Sequence, residues 1–164
     1  MRPAAVRLGG VLLAAAFLAS WPGACRDKKQ PCPAQVTING YSWFVDVAAT
    51  EDQREVGLAG RTTLPATAGM LFVFPAPEPQ TFWMRGCLMD LDIAFIGEDM
   101  RVVKTCTMRA EPDLAGRELY HCEEPAQYAL EVAAGGLRRA GVKPGDVVTF
   151  SGDIPQPVEQ KRRP

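Results

Sequence analysis

Neither sign of charge is in excess in this chain: 18 Lys and Arg stand against 19 Asp and Glu, a net charge of −1. It therefore lacks the basic surplus with which a general nucleic-acid binder gathers phosphates, and no nucleic-acid partner is expected. Histidine is represented by His121 alone, and no Cys-x-x-Cys pair occurs, so common metal ligands are scarce and no cofactor is expected. Beyond the N-terminal stretch there is no uncharged apolar run long enough to span a membrane, and there are no internal repeats. Disorder throughout is excluded as well, because 47% of the residues are apolar and 23% charged, ordinary globular values. A length of 164 residues holds one domain with tails.

What is present begins with an address. Arg2 and Arg7 precede an uncharged stretch, Leu8 to Trp21. As a helix that stretch reaches only about 21 Å, short of a hydrocarbon core of about 30 Å. It reads as a signal peptide over residues 1–24, implying export to the periplasm or to a membrane-anchored lipoprotein. Pro22-Gly23-Ala24-Cys25 is similar to a bacterial lipobox, although Pro22 stands where that pattern prefers Leu. Lipid on Cys25 is one expected outcome and ordinary cleavage nearby is the other; the lipid would be the only membrane attachment. Residues 25–33 read as a tether and 153–164 as a disordered tail, leaving 34–152 as the folded body. In an oxidising compartment Cys106 and Cys122, which flank one polar loop, are a candidate disulfide; Cys87 and Cys106 read equally as small buried hydrophobes.

The folded body is punctuated like a β protein. Ala34 to Ile38 and Tyr41 to Val47 flank Asn39-Gly40, a two-residue hairpin signal. Thr50 with Gln53 forms a capping-box pattern opening a short helix that Gly57 and Gly60 limit. Met70 to Phe74 is a continuous apolar run between Gly69 and Pro75, hence a buried strand. The Pro-rich connector 75–79 is expected to break the sheet. Further strands are expected at Thr81–Arg85, Leu91–Ile96, Arg101–Met108, Tyr128–Val132 and Asp146–Ser151, with an irregular segment at 109–121 and one possible helical turn at Leu137–Ala140. The expected class is mainly β: a compact antiparallel sandwich or partly closed barrel with one short α-helix.

Three blocks carry a family resemblance. Arg54-Glu55-Val56-Gly57-Leu58, Arg61, Leu64-Pro65 and Gly69 to Phe74 form the first. Phe82-Trp83-Met84-Arg85 with Leu91 to Ile96 forms the second, and Tyr128 to Val132, Gly135 and Gly141 to Asp146 the third. Together, over about residues 45–150, they resemble domain of unknown function 192, a bacterial and archaeal family. The resemblance implies an all-β sandwich-like fold, often behind a signal peptide, and no established activity. Ala59-Gly60 and Gly86-Cys87 depart from the family pattern, which commonly has Gly-Leu-Met and Asn-Thr there.

The residues able to carry chemistry leave several readings open. Arg54 and Arg61 are seven apart, about two helical turns, and can either grip an anion together or pin the helix to the sheet through Asp90, Asp92 or Glu131. Asp92 and Glu131 lie inside apolar strands, where a carboxylate faces outward or needs a buried partner. If the two converged with Arg54 and Arg61, they would suit a small hydrolase. Met84-x-x-Cys87 offers soft ligands for copper, although Met in an apolar strand is usually packing. Cys87 with His121 is a weaker nucleophile–base pairing. Trp83 alternates with Phe82, so one is expected in the core and the other beside a surface cleft, where Arg85 adds a charge. The leading reading is a non-catalytic envelope module that binds a small ligand or a protein partner.

Overall fold

The computed structural model describes residues 32–156. The expected signal peptide, Cys25 and most of the tether lie outside the described residues, as does the end of the tail. Asn39 and Gly40 have φ of 52° and 76°, the doubly left-handed geometry that matches strand twist. They join β1 (Gln35–Ile38) to β2 (Tyr41–Ala48) as a hairpin closed by the Ile38–Tyr41 pair. The capping box then forms as the sequence predicts. The Thr50 hydroxyl accepts from the Gln53 N–H, the Gln53 side chain accepts from the Thr50 N–H, and α1 runs Glu51–Val56. Gly57, at φ 49°, ends it.

The chain returns through residues 57–67 to β3 (Ala68–Trp83), followed by β4 (Leu91–Ile96), β5 (Val102–Met108), β6 (Leu119–Ala133), α2 (Gly136–Arg139) and β7 (Val148–Ser151). One seven-stranded sheet results, in the order β5-β4-β6-β3-β2-β1-β7. The mainly β class is as expected, with two short helices. The sheet is mixed rather than wholly antiparallel: β2 and β3 run parallel, because α1 and the return segment carry the chain back to the end where β2 began. It curls into a half-barrel whose edges touch. The Val148 N–H donates to the Met100 carbonyl (2.8 Å) and the Gly145 N–H to the Val102 carbonyl (2.7 Å).

Two expectations are corrected along the longest strand pair. The Pro-rich connector is part of β3, which stays paired with β6 from Gly69–Val132 to Trp83–Leu119. Register shifts between Val73 and Glu78 and between Glu78 and Gln80 absorb the prolines. Pro75, Pro77 and Pro79 alternate along the strand, so their missing donors fall on one edge, and β2 stops pairing at Phe72. The end of the polar segment 109–121 is likewise drawn into β6. Asp153 and Ile154, expected in the tail, contact the folded body: Asp153 exchanges hydrogen bonds of 3.1 Å with the backbone of Cys32, and Ile154 packs on the core.

Each sheet face carries its own apolar cluster. Leu91, Ile93 and Phe95 pack with Leu58, Phe72 and Met108 on one side. Ala94 and Ile96 pack with Trp43, Leu71 and Leu130 on the other. This is the period-2 split of an apolar strand covered on both faces. The Cys106–Cys122 disulfide is not formed; both are free thiols. Cys106 pairs with Ile93 of β4 and Cys122 with Gln80 of β3, and the Cys122 thiol turns onto Glu124.

Candidate functional site

A cavity of about 280 Å³ opens between α1 and the sheet face that carries Phe72. Strand alternation builds its wall. Met70, Phe72 and Phe74 share one side of β3, and Glu131 of β6 lies in register with Met70. Phe82 closes the aromatic wall, edge-on to Phe72 at 5.0 Å and to Phe95 at 5.6 Å between ring centroids. α1 supplies Glu51, Arg54 and Glu55. Glycine at the helix end, Gly57, follows from its φ of 49°, a left-handed backbone that side chains rarely adopt; a Cβ there would meet the Phe72 ring only at ordinary contact distance.

Glu131 is the unusual group here. Its side chain is buried, with the residue 4% exposed, and no described group donates a hydrogen bond to it. Burial pushes its pKa up to about 8, so the carboxyl is mostly protonated at neutral pH. The neighbouring Cys87 thiol is pushed up to about 11, first by burial and then by the charge of Glu131.

Of the residues singled out in the sequence, Arg54, Trp83, Arg85, Cys87 and Glu131 come together at this cavity. Arg54 donates from Nη1 to the Ala49 carbonyl (2.9 Å) and the Val73 carbonyl (3.0 Å), and its guanidinium sits 5.4 Å from the centroid of Phe74. Arg85 donates to the Leu114 carbonyl (3.1 Å) and lies 5.4 Å over the Trp83 ring. Trp83 is 41% exposed while Phe82 is half-buried, the division that alternation predicts.

Arg61, Asp92 and Met84 are placed elsewhere. Arg61 pairs with Asp46 at 2.6 Å on the surface, because the chain leaves helical geometry at Gly57 and the two-turn spacing with Arg54 is lost. Neither arginine meets Asp90, Asp92 or Glu131 in an ion pair. Asp92 accepts from the Thr107 hydroxyl (2.7 Å) and the Leu137 N–H (3.2 Å), tying α2 to β4. It pairs with Val132 in the ladder while Glu131 pairs with Ile93, so the two carboxylates open to opposite faces. The convergent acid pair that hydrolysis would need is therefore not built. Met84 is 1% exposed inside the Phe72 cluster and does not line the cavity, so the Met84/Cys87 pair is not presented to an entering metal. His121 bonds through Nδ1 to the Thr81 hydroxyl at 2.9 Å, which leaves Cys87 without that base.

The aromatic wall of Phe72 and Phe74 is not evident from Met70–Phe74 as one apolar run; its period-2 phase with Met70 is the sequence signal that marks it.

With the geometry in place, comparison with known proteins adds the lineage. The sequence profile of DUF192, described as Uncharacterized ACR, matches residues 34–150. The chain belongs to the DUF192 family. Two solved structures share the fold. A Novosphingobium aromaticivorans protein of unknown function is 32% identical, with a TM-score of 0.64, 85% of this chain covered and 99% of that one. A Sinorhizobium meliloti protein, provisionally described as a transcription regulator, is 30% identical, with a TM-score of 0.63, 76% of this chain covered and 97% of that one. No curated protein matches. DUF192 membership thus agrees with the three motif blocks, and all three meet at the cavity, through Arg54 and Phe72, through Trp83 and Arg85, and through Glu131.

Proposed function

We propose that this protein is a non-catalytic module of the cell envelope that binds a small, partly apolar ligand in the Glu131 cavity. The observation that carries this reading is the Glu131 carboxyl, 4% exposed and without a hydrogen-bond partner among the described residues, in the wall of an open, aromatic-lined space. The sealed orphan atom among the described residues is Trp43 Nε1, whereas the Glu131 oxygens keep a little surface toward the cavity, where a ligand can reach them. Binding sites are where chains keep such groups, since an entering ligand supplies the missing partner. The wall has the usual division of labour of a ligand pocket: Phe72, Phe74 and Phe82 offer apolar area, and a few polar groups fix orientation.

Binding is favoured over catalysis on two grounds. Asp92 and Glu131 do not converge, and the Cys87 thiol is held protonated by its surroundings. The envelope assignment rests on the basic residues and apolar stretch within residues 1–24.

A fragment mixture titrated into the 15N-labelled folded body tests the reading. Amide shifts are expected to concentrate at Trp83, Glu131 and α1, and Trp83→Ala is expected to weaken them. Shifts scattered over the surface, with none around Glu131, would overturn it. Cell fractionation with intact mass of the mature chain tests export and lipid on Cys25 together.

A further inference from the structure

We propose that the ligand is a hydrophobic amine of one or two rings, whose ammonium group pairs with the Glu131 carboxylate while its apolar body lies along Phe72, Phe74 and Phe82. The inference rests on the ligand-binding reading above and names the chemistry of the ligand.

Hydrogen-bond supply comes first. Glu131 has no donor in the cavity wall, so the donor must arrive with the ligand. The two wall cations are anchored away from it. Arg54 holds the Ala49 and Val73 carbonyls through Nη1, Arg85 holds the Leu114 carbonyl through Nε, and each guanidinium lies over an aromatic ring. Neither donates to Glu131, so a cationic donor brought by the ligand meets that carboxyl without displacing either anchor.

Charge points the same way. The charged and titratable groups lining the cavity with Glu131 are Glu51, Arg54 and Glu55 from α1, and Arg85 and Cys87 from the segment ending and following β3. Its ladder neighbours, Met70 on β3 and Ile93 on β4, bring no charge. With Glu131 ionised, three carboxylates face two guanidinium groups, and a monocation restores neutrality. A carboxylate ligand would set its charge against Glu131 instead. An ammonium near aromatic faces also gains from their quadrupoles, more so once desolvated. The volume of about 280 Å³ lies at the small end of ligand pockets, which limits the body to one or two rings.

Proton balance gives the proposal its signature. In the empty cavity the carboxyl holds a proton at neutral pH; when an ammonium binds, that proton leaves to solvent and the charged pair forms, with no other bond made or broken. Binding is thus coupled to release of up to one proton at pH 6.5, and the release fades as pH passes about 8.

The test uses three probes of one shape: phenethylamine, 2-phenylethanol and phenylacetate. Calorimetry at pH 6.5 in buffers of different ionisation enthalpy is expected to give amine binding at least about tenfold tighter than the alcohol, a difference of about 1.4 kcal/mol, with net proton release. Phenylacetate is expected not to bind. Glu131→Gln, which mimics the protonated form, is expected to erase the amine preference and the proton release while alcohol binding persists. Alcohol binding equal to amine binding in the natural protein, with shifts around Glu131, would overturn the amine assignment and leave the cavity reading standing. If none of the probes shifts residues around Glu131, the cavity reading fails and the amine assignment with it. The proton count uses the unmutated protein, so the test does not depend on the folding of a variant.

Discussion

Asp92 and Glu131 occupy consecutive rungs of the β4–β6 ladder and open to opposite faces of the sheet: Asp92 stands beside Val132, and Glu131 beside Ile93. Both are buried. Asp92 holds two donors from its own fold, and Glu131 holds none among the described residues. One rung of register thus separates a structural carboxylate from one left open to a ligand, because a strand sends successive side chains to opposite sides.

Asp92 is accordingly a stability residue. Asp92→Ala strands the buried Leu137 N–H and releases the exposed Thr107 hydroxyl to solvent. A loss of about 1–3 kcal/mol is expected in urea denaturation, with ligand binding unchanged in the folded fraction. Unchanged stability with lost binding would place Asp92 in the site instead.

Glu131 makes stability depend on pH in the direction opposite to a salt-bridged acid. Its folded-state pKa of about 8 exceeds the ordinary value of 4.5, so the folded chain binds the proton more tightly than the unfolded one. Its contribution is complete below about pH 4.5 and is lost progressively as pH rises to about 8. Over that window the slope is roughly 1.4 kcal/mol per pH unit at most. Glu131→Gln is expected to flatten this part of the curve and to gain stability relative to the natural protein at pH 8. Parallel curves for the two proteins would contradict the assignment.

The two arginines of the first motif block should separate cleanly. Arg54→Ala removes two half-buried hydrogen bonds and a ring contact, with an expected cost of about 1–3 kcal/mol. Arg61→Ala removes a surface ion pair, expected to be worth about 1 kcal/mol or less. Thermal melts of the two variants under one buffer compare them directly; equal losses would mean that Arg61 does more than pair with Asp46.

Cys87 should be a slow thiol. A shift from 9.0 to about 11 lowers its thiolate fraction at pH 8 by roughly a hundredfold, and burial slows it further. Iodoacetamide labelling followed by peptide mass mapping is expected to find Cys87 unmodified while an unfolded control labels fully. Rapid labelling of Cys87 in the folded protein would show the cavity to be more open than described.

Much of the fold was legible because its signals are local. Asn39-Gly40 makes its turn by backbone preference, Thr50 and Gln53 cap a helix within four residues, and the alternation of Leu91 to Ile96 divides that strand between two clusters. The prolines at 75, 77 and 79 misled for an instructive reason: one strand edge had no partner, so their missing donors cost the sheet little. The site was half legible. Arg54, Trp83, Arg85 and Glu131 were visible as residues, but their grouping, and the departure of Arg61 and Asp92 from it, depended on where the helix stopped and which rung each strand occupied.

The sequence by itself determined the β class, the hairpin, the capped helix and the two-faced central strand, since each follows from preferences acting over a few residues. Only the tertiary structure decided that β3 runs parallel to β2, that Glu131 faces the cavity with no partner among the described residues, and that α1 stands over the Phe72 face. Those outcomes depend on ladder register and on contacts between segments far apart in the chain, where one rung moves a carboxylate from one face of the sheet to the other.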